Sequence, residues 1–241
     1  MSTMSETRAT STLLPRVLEP EVMDSETEAE DYDAMDHGAV NATFCDDLLA
    51  LRAHPTWVLD LGTGTARIPL TLCAKHPGVR VVGTDLAKHM LRVAERTVHH
   101  AGFSNRVVLR EEDAKMSPLH DEPFDVVCSN SVVHHIPDPA TALRAWWARV
   151  PPGALFFVRD LARPDTTEDV LGLVEKHGGT RPSDPVEGAS FDRQLELFRA
   201  SLCAALRVDE VKRIAASLGI PEGAVTRTSD RHFTLAYEKP R

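Results

Sequence analysis

Apolar residues along this chain fall into two spacings that take turns. Short, largely apolar runs at Trp57–Leu61, Val79–Thr84, Arg106–Arg110, Phe124–Ser129 and Ala154–Arg159 read as strands, the fourth so nearly wholly apolar that it is expected to be covered on both faces. Between them apolar positions recur at three- and four-residue steps, the period of a helix with one buried face. Ile68, Leu72 and Cys73 give a helix over Ala66–His76, with Pro69 accommodated in its first turn. Ala87, Met90, Leu91, Ala94 and Val98 give a second helix, which Gly102 stops. Asp138 and Pro139 open a third by capping and first-turn proline, and Leu143, Trp146, Trp147 and Val150 supply its buried side.

Two further helical stretches are expected around Glu168–Lys176 and Arg193–Leu206. Asp209 is expected to cap another, with Val211, Ile214, Ala215 and Leu218 inward and Gly219 at its end. Ala224–Arg227 and His232–Tyr237 are close enough to pair as an antiparallel hairpin. At the other end, Val40, Phe44, Leu48 and Leu51 share a helical face, with Asp33 as its N-cap and Pro55 beyond it, after an acidic surface segment from Glu19 to Asp33. Residues 1–15, rich in Ser and Thr without periodicity, are expected to be a disordered tail, and 16–241 a single domain. Strands alternating with helices and closed by a hairpin predict an α/β, doubly wound, mostly parallel sheet with an antiparallel C-terminal hairpin.

Composition narrows the partners. The formal charge of -9 argues against a phosphate backbone and leaves a small-molecule substrate. Cys45, Cys73, Cys128 and Cys203 lie far apart with no close ligand pair, so neither a disulfide nor a metal is expected. They read as buried thiols of a reducing cytoplasm. With no signal-like apolar run at the start and no segment long enough to span a membrane, a cytoplasmic monomer or homodimer is the expectation.

The chemistry concentrates where the first strand ends, in Asp60-Leu61-Gly62-Thr63-Gly64-Thr65-Ala66. Gly62 and Gly64 let the backbone approach a bound molecule, and the helix start behind them offers N–H groups. Asp60 would repel a pyrophosphate but attract the ammonium of an amino acid, and S-adenosylmethionine carries one. This stretch resembles the first motif of the class I S-adenosylmethionine-dependent methyltransferases, an acid and two glycines at alternate positions, with Ala66 where a third glycine often stands. The resemblance covers roughly Tyr32 to the C-terminus. It implies a seven-stranded Rossmann-like methyltransferase fold, S-adenosyl-L-methionine as cofactor, N-terminal lid helices over 17–53 and a helical insertion over 165–206 that contribute to the substrate side.

Asp85 ends the second strand about 20 residues beyond the glycine turn, where doubly wound folds place an acid for ribose hydroxyls, and the resemblance gives it that role. The resemblance further implies Leu86 on the adenine face, Asp113 (or Glu112 one register away) receiving the adenine amino group, the Ala114 amide at a ring nitrogen, and Asn130 beside the methionyl part. Tyr32, His37 and Asn41 are candidates for the substrate side. Base-modifying relatives often carry prolines and an aromatic after that asparagine. Ser131-Val132-Val133 has neither, which argues against a nucleic-acid base as acceptor.

His134 and His135 are adjacent and are expected to point apart, one inward and His135 toward the substrate as a base. Turnover would then rise with pH through the imidazole pKa. Asp160, ending the fifth strand, is expected to open toward the same crevice as a second catalytic candidate. Methyl transfer from a sulfonium needs little beyond in-line placement and exclusion of water. Two other readings stay open: a catalytically silent cofactor-binding module, and a nicotinamide-dependent oxidoreductase. Against the latter, Arg67 occupies the third glycine position and Asp60 would face the phosphates.

Overall fold

The computed structural model describes residues 13–19, 29, 33, 38–115 and 122–241. Seven strands form one sheet in the order β3-β2-β1-β4-β5-β7-β6. They are β1 (Trp57–Leu61), β2 (Arg80–Asp85), β3 (Val107–Glu111), β4 (Val126–Asn130), β5 (Leu155–Leu161), β6 (Val225–Arg227) and β7 (His232–Glu238). The first five run parallel, with Val58 beside both Val81 and Val126, while β7 is antiparallel to β5 and β6 antiparallel to β7. Strand order reverses at β1, which lies between β2 and β4, so a crevice opens beyond the carboxyl ends of these strands.

The two-residue period of the strands divides the core into two layers. Leu59, Leu61, Phe156 and Val158 face one side, against Leu143 and Trp146 of α4 (Pro139–Arg149) and Val211 and Ala215 of α7 (Val208–Ser217). Val58, Leu155 and Phe157 face the other, against Phe44 and Leu48 of α1 (Gly38–Leu51), Leu72 of α2 (Arg67–Lys75) and Ala94 of α3 (Lys88–His100). All seven residues of β5 are buried, as a central strand with helices on both faces requires.

Several local expectations shift. Asp33 is itself helical and does not cap α1; its carboxylate takes Arg67 Nε at 2.9 Å. Arg207, not Asp209, is the N-cap of α7, and Glu210 reaches back to its amide at 2.8 Å, leaving Asp209 in the first turn to pair with Arg207 and Arg213. The long helix after α5 (Thr167–His177) starts eight residues earlier than its apolar pattern suggests, as α6 (Pro185–Ala204), because Asp184 caps Val186 and Glu187 ahead of Pro185. Of the expected tail, residues 13–15 are described and anchored: Leu14 donates to the Asp165 carbonyl at 2.8 Å and packs beside Leu161, Val170 and Leu202. The rest of the tail lies outside the described residues.

The turn after β1 is fixed by close approach. Gly62 has φ +73°, and a Cβ there would sit 2.3 Å from Cγ2 of Val132. Gly62→Ala should therefore cost about 2–4 kcal/mol, from left-handed strain together with overpacking. Val132→Ala in the same chain should restore part of the loss by removing the clash and none of the strain. Urea unfolding measures both, and a neutral Gly62→Ala would show that this approach is not rigid.

Candidate active site

The crevice above β1, β2, β3 and β4 contains a cavity whose wall carries Asp60, Gly62, Gly64, Asp85, Leu86, Asp113, Ala114 and Asn130 together. Asn41 of α1 and His135 complete its side. Tyr32 and His37 lie outside the described residues. Met90, Val132 and Ile136 also line it without standing out in the sequence as site residues, because their apolar character is indistinguishable from that of core residues.

Asp85 closes the glycine turn. Its Oδ2 accepts the Gly64 amide at 2.7 Å and its Oδ1 the Ala87 amide at 2.9 Å. The Gly62 and Thr63 amides both donate to the Thr84 carbonyl at 2.8 Å. Three amides of the loop are thus taken by β2 and its terminal carboxylate. The open anion nest expected of a phosphate-binding glycine loop is instead partly filled by the protein's own acid. Ala66, with φ +63°, holds the left-handed position that the missing third glycine would take, and its amide returns to the Thr63 carbonyl at 2.9 Å.

Asp60 sits behind this turn, 1% exposed, with Thr63 Oγ1 donating at 2.7 Å and Cys128 Sγ at 3.6 Å. Burial pushes its carboxyl up to about 6, against the pull of those two donors. On the far side, Trp146 of α4 donates its indole N–H to the Ala114 carbonyl at 2.9 Å, and Asp113 accepts the Lys115 amide at 2.9 Å. A core tryptophan therefore fixes the loop that presents Asp113 and Ala114. Asn130 ends β4, and its Oδ1 is buried with no hydrogen-bond partner among the described residues.

His134 and His135 lie in a single 3₁₀ turn, Val133–His135, and do not point apart. Their ring centroids are 4.0 Å from each other at 40°. Their surroundings differ. His134 Nδ1 meets Asp160 Oδ1 at 2.5 Å, and Asp160 Oδ2 accepts the Val133 amide at 2.5 Å and the His134 amide at 3.2 Å. Asp160, 1% exposed and saturated by these donors and by the Leu161 amide, does not reach the cavity wall. Its role is to hold the turn, which corrects the expectation of a carboxylate open to the crevice.

Burial opposes the charge of His134, but the Asp160 carboxylate and its hydrogen bond outweigh that and raise the pKa. Burial drives His135 down to about 3, helped by the neighbouring His134. An imidazole this weakly basic is neutral at physiological pH and a poor proton acceptor, so the expected rise of turnover through its pKa is replaced by no His135 step above about pH 5. His135 Nδ1 also lies 3.4 Å from Glu19 Oε2, whose side chain is only 8% exposed. Sequence reasoning placed Glu19 in a solvated acidic segment. The turn beside it is further pinned by Arg16, which donates to the His134, Ile136 and Ala204 carbonyls at 3.1, 2.9 and 2.6 Å.

Residues 59–158 match a family described as a methyltransferase domain. A demethylmenaquinone methyltransferase of Thermus thermophilus is 34% identical over 126 residues, which are 52% of this chain and 56% of that one. A ubiquinone biosynthesis O-methyltransferase of Hydrogenovibrio crunogenus is 28% identical over 76% of this chain and 75% of its own. The chain thus spans about half the length of the first of these relatives. Among solved structures, an O-methyltransferase family protein from Burkholderia thailandensis superposes with a TM-score of 0.65 at 17% identity, covering 89% of this chain and 59% of that one, a likeness of fold. No helix among the described residues is long and apolar enough to cross a membrane.

Because His135 has a lower pKa folded than unfolded, its contribution to stability is complete above the ordinary histidine value near 6.5 and is lost as pH falls toward about 3. Across that window His135→Gln should unfold with a shallower pH dependence than wild type, by up to about 1.4 kcal/mol per pH unit. Parallel curves in denaturant titrations from pH 7 to pH 4 would mean that the ring is not desolvated.

Proposed function

We propose that this chain is a class I S-adenosylmethionine-dependent methyltransferase that transfers a methyl group from S-adenosyl-L-methionine to a small-molecule acceptor. The observation that carries the reading is the convergence of Asp60, Asp85, Asp113 and Asn130 on one cavity at the strand ends. The donor set fits the cofactor. Asn130 Oδ1 is a buried acceptor with no hydrogen-bond partner among the described residues, and Asp85 at the end of β2 and Asp113 just beyond β3 are suited to ribose hydroxyls and an adenine amino group.

In this reading Asp85, fixed at the end of β2 by the Gly64 and Ala87 amides, accepts the ribose hydroxyls. Asp113 accepts the amino group, and Leu86, an apolar side chain 40% exposed at the cavity, covers the adenine face. Asp60, held by Thr63, offers negative charge to an ammonium. When bound, S-adenosyl-L-methionine supplies a methyl group already activated on sulfur. What remains for the chain is to exclude water and align the acceptor, whose electron pair forms the new bond to carbon as the carbon–sulfur pair returns to sulfur. Neutral His135 and Asn41 flank the approach as positioning groups.

The names of the relatives, which act on demethylmenaquinone or in ubiquinone biosynthesis, support a small acceptor. The helical stretch 165–206 and the segment 17–53 are proposed to supply its pocket, in a cytoplasmic enzyme. A nicotinamide dinucleotide suits the site less well, because the Gly64 amide that a pyrophosphate would need is bound to Asp85. Thermal unfolding should accordingly be shifted upward by S-adenosylmethionine and left unmoved by NAD. Release of S-adenosylhomocysteine in a metabolite extract separates an enzyme from a silent binding module.

Asp85→Asn should weaken S-adenosylmethionine binding by about 1–3 kcal/mol, roughly 5- to 150-fold, as acceptors on a charged group are lost. It should also lower stability, because the same carboxylate holds the glycine turn. Calorimetry that finds wild-type affinity in this variant would remove Asp85 from the binding site.

A further inference from the structure

Beside the cavity, ligand-capable atoms of Glu19, His134 and His135 lie within 4.8 Å of one another. Each is placed by something other than its neighbours in this group. Asp160 holds His134 by Nδ1, which leaves Nε2 as the free ring nitrogen. The 3₁₀ turn sets His135 beside it, and Glu19 follows directly on the strap anchored by Arg16 and Leu14. Glu19 is the informative member. Its side chain is only 8% exposed, one oxygen lies 3.4 Å from His135 Nδ1, and the other, Oε1, is buried with no partner among the described residues. A buried carboxylate oxygen left unsatisfied is costly, and such groups normally pair or bind metal.

We propose that Glu19, His134 and His135 form a binding site for one divalent transition-metal cation of the zinc type. Two imidazoles and a carboxylate with an open position are a catalytic zinc donor set, and an imidazole held through its other nitrogen by a carboxylate is the usual support for such a ligand. Zinc bonds of about 2.0–2.2 Å need the three donors to draw somewhat closer than they stand, a movement of side-chain size. The charge suits: the carboxylate of Glu19 and that of Asp160 behind His134 offset the cation, while Arg16 is engaged by backbone carbonyls.

The open position would lie next to the cavity, since His135 lines its wall. There the cation would hold the oxygen or sulfur of an acceptor and lower its pKa, so that its proton leaves to solvent and its electron pair forms the bond to the methyl carbon. The carbon–sulfur pair returns to the departing thioether, and no side chain is needed as base. This role in transfer rests on the cofactor reading above; the metal site itself does not.

The test uses the full chain, stripped with a chelator and dialysed. Zn²⁺ is titrated by calorimetry and Co²⁺ by its visible absorption, and S-adenosylmethionine affinity is measured on the same stripped sample. One equivalent of each metal should bind, with the intense Co²⁺ bands of a four- or five-coordinate site. Glu19→Gln and His135→Gln should each weaken binding at least tenfold, while His99→Gln, in the surface pair His99–His100, should not. Circular dichroism checks folding, and either of the two ligand variants decides if the other fails to fold. Absence of stoichiometric binding, or binding that both variants leave unchanged, overturns the site. Metal binding without S-adenosylmethionine binding would instead sink the cofactor reading and leave the site standing.

Discussion

The carboxylate of Asp85 holds the loop after β1 to the end of β2, and most of the site's geometry follows from that grip. By accepting the Gly64 and Ala87 amides it ties the glycine turn to the start of α3, 2.7 and 2.9 Å from its two oxygens. The turn can bend so sharply only because Gly62 and Gly64 adopt positive φ and because Val132 packs where a Cβ on Gly62 would stand. Thr63, drawn to Asp60 at 2.7 Å, then lies against Gly83, where a Cβ would meet its hydroxyl at 2.7 Å. A glycine in the middle of β2 thus serves a turn after β1, and the cavity floor is one packed unit.

A second carboxylate organises the opposite wall in the same way. Asp160 takes two amides and a ring nitrogen from the turn after β4, so the end of β5 sets the position of both histidines. The pair works as a structural anchor that makes one ring favour charge and pushes its neighbour away from it. Two adjacent residues of one type thereby acquire opposite electrostatic characters, decided by which one burial leaves beside a carboxylate. The N-terminal strap adds Arg16 and Glu19 to this wall, joining the first described residues to the turn and to α6.

The layering that positions these walls was legible in the chain. Continuous apolar runs between helical patterns give a parallel sheet covered on both faces, and each of the seven expected strands has its counterpart in the sheet. The caps were legible where their signature is local: Asp138 accepts from Thr141 as its proline neighbour implies, and Gly102 stops α3 with φ +75°. Asp184 carries that same signature and announces the true start of α6.

What the sequence by itself determined was the sheet, its glycine turn and the set of acids at the strand ends, because each depends on residues within one βα unit. Tertiary structure alone decided that Asp160 turns inward, that burial lowers the basicity of His135, and that Glu19 leaves the solvated acidic stretch for a buried place beside two histidines. Those outcomes depend on burial and on charges brought together from distant parts of the chain. Desolvation is a property of the packed surroundings, and no spacing along the chain encodes it.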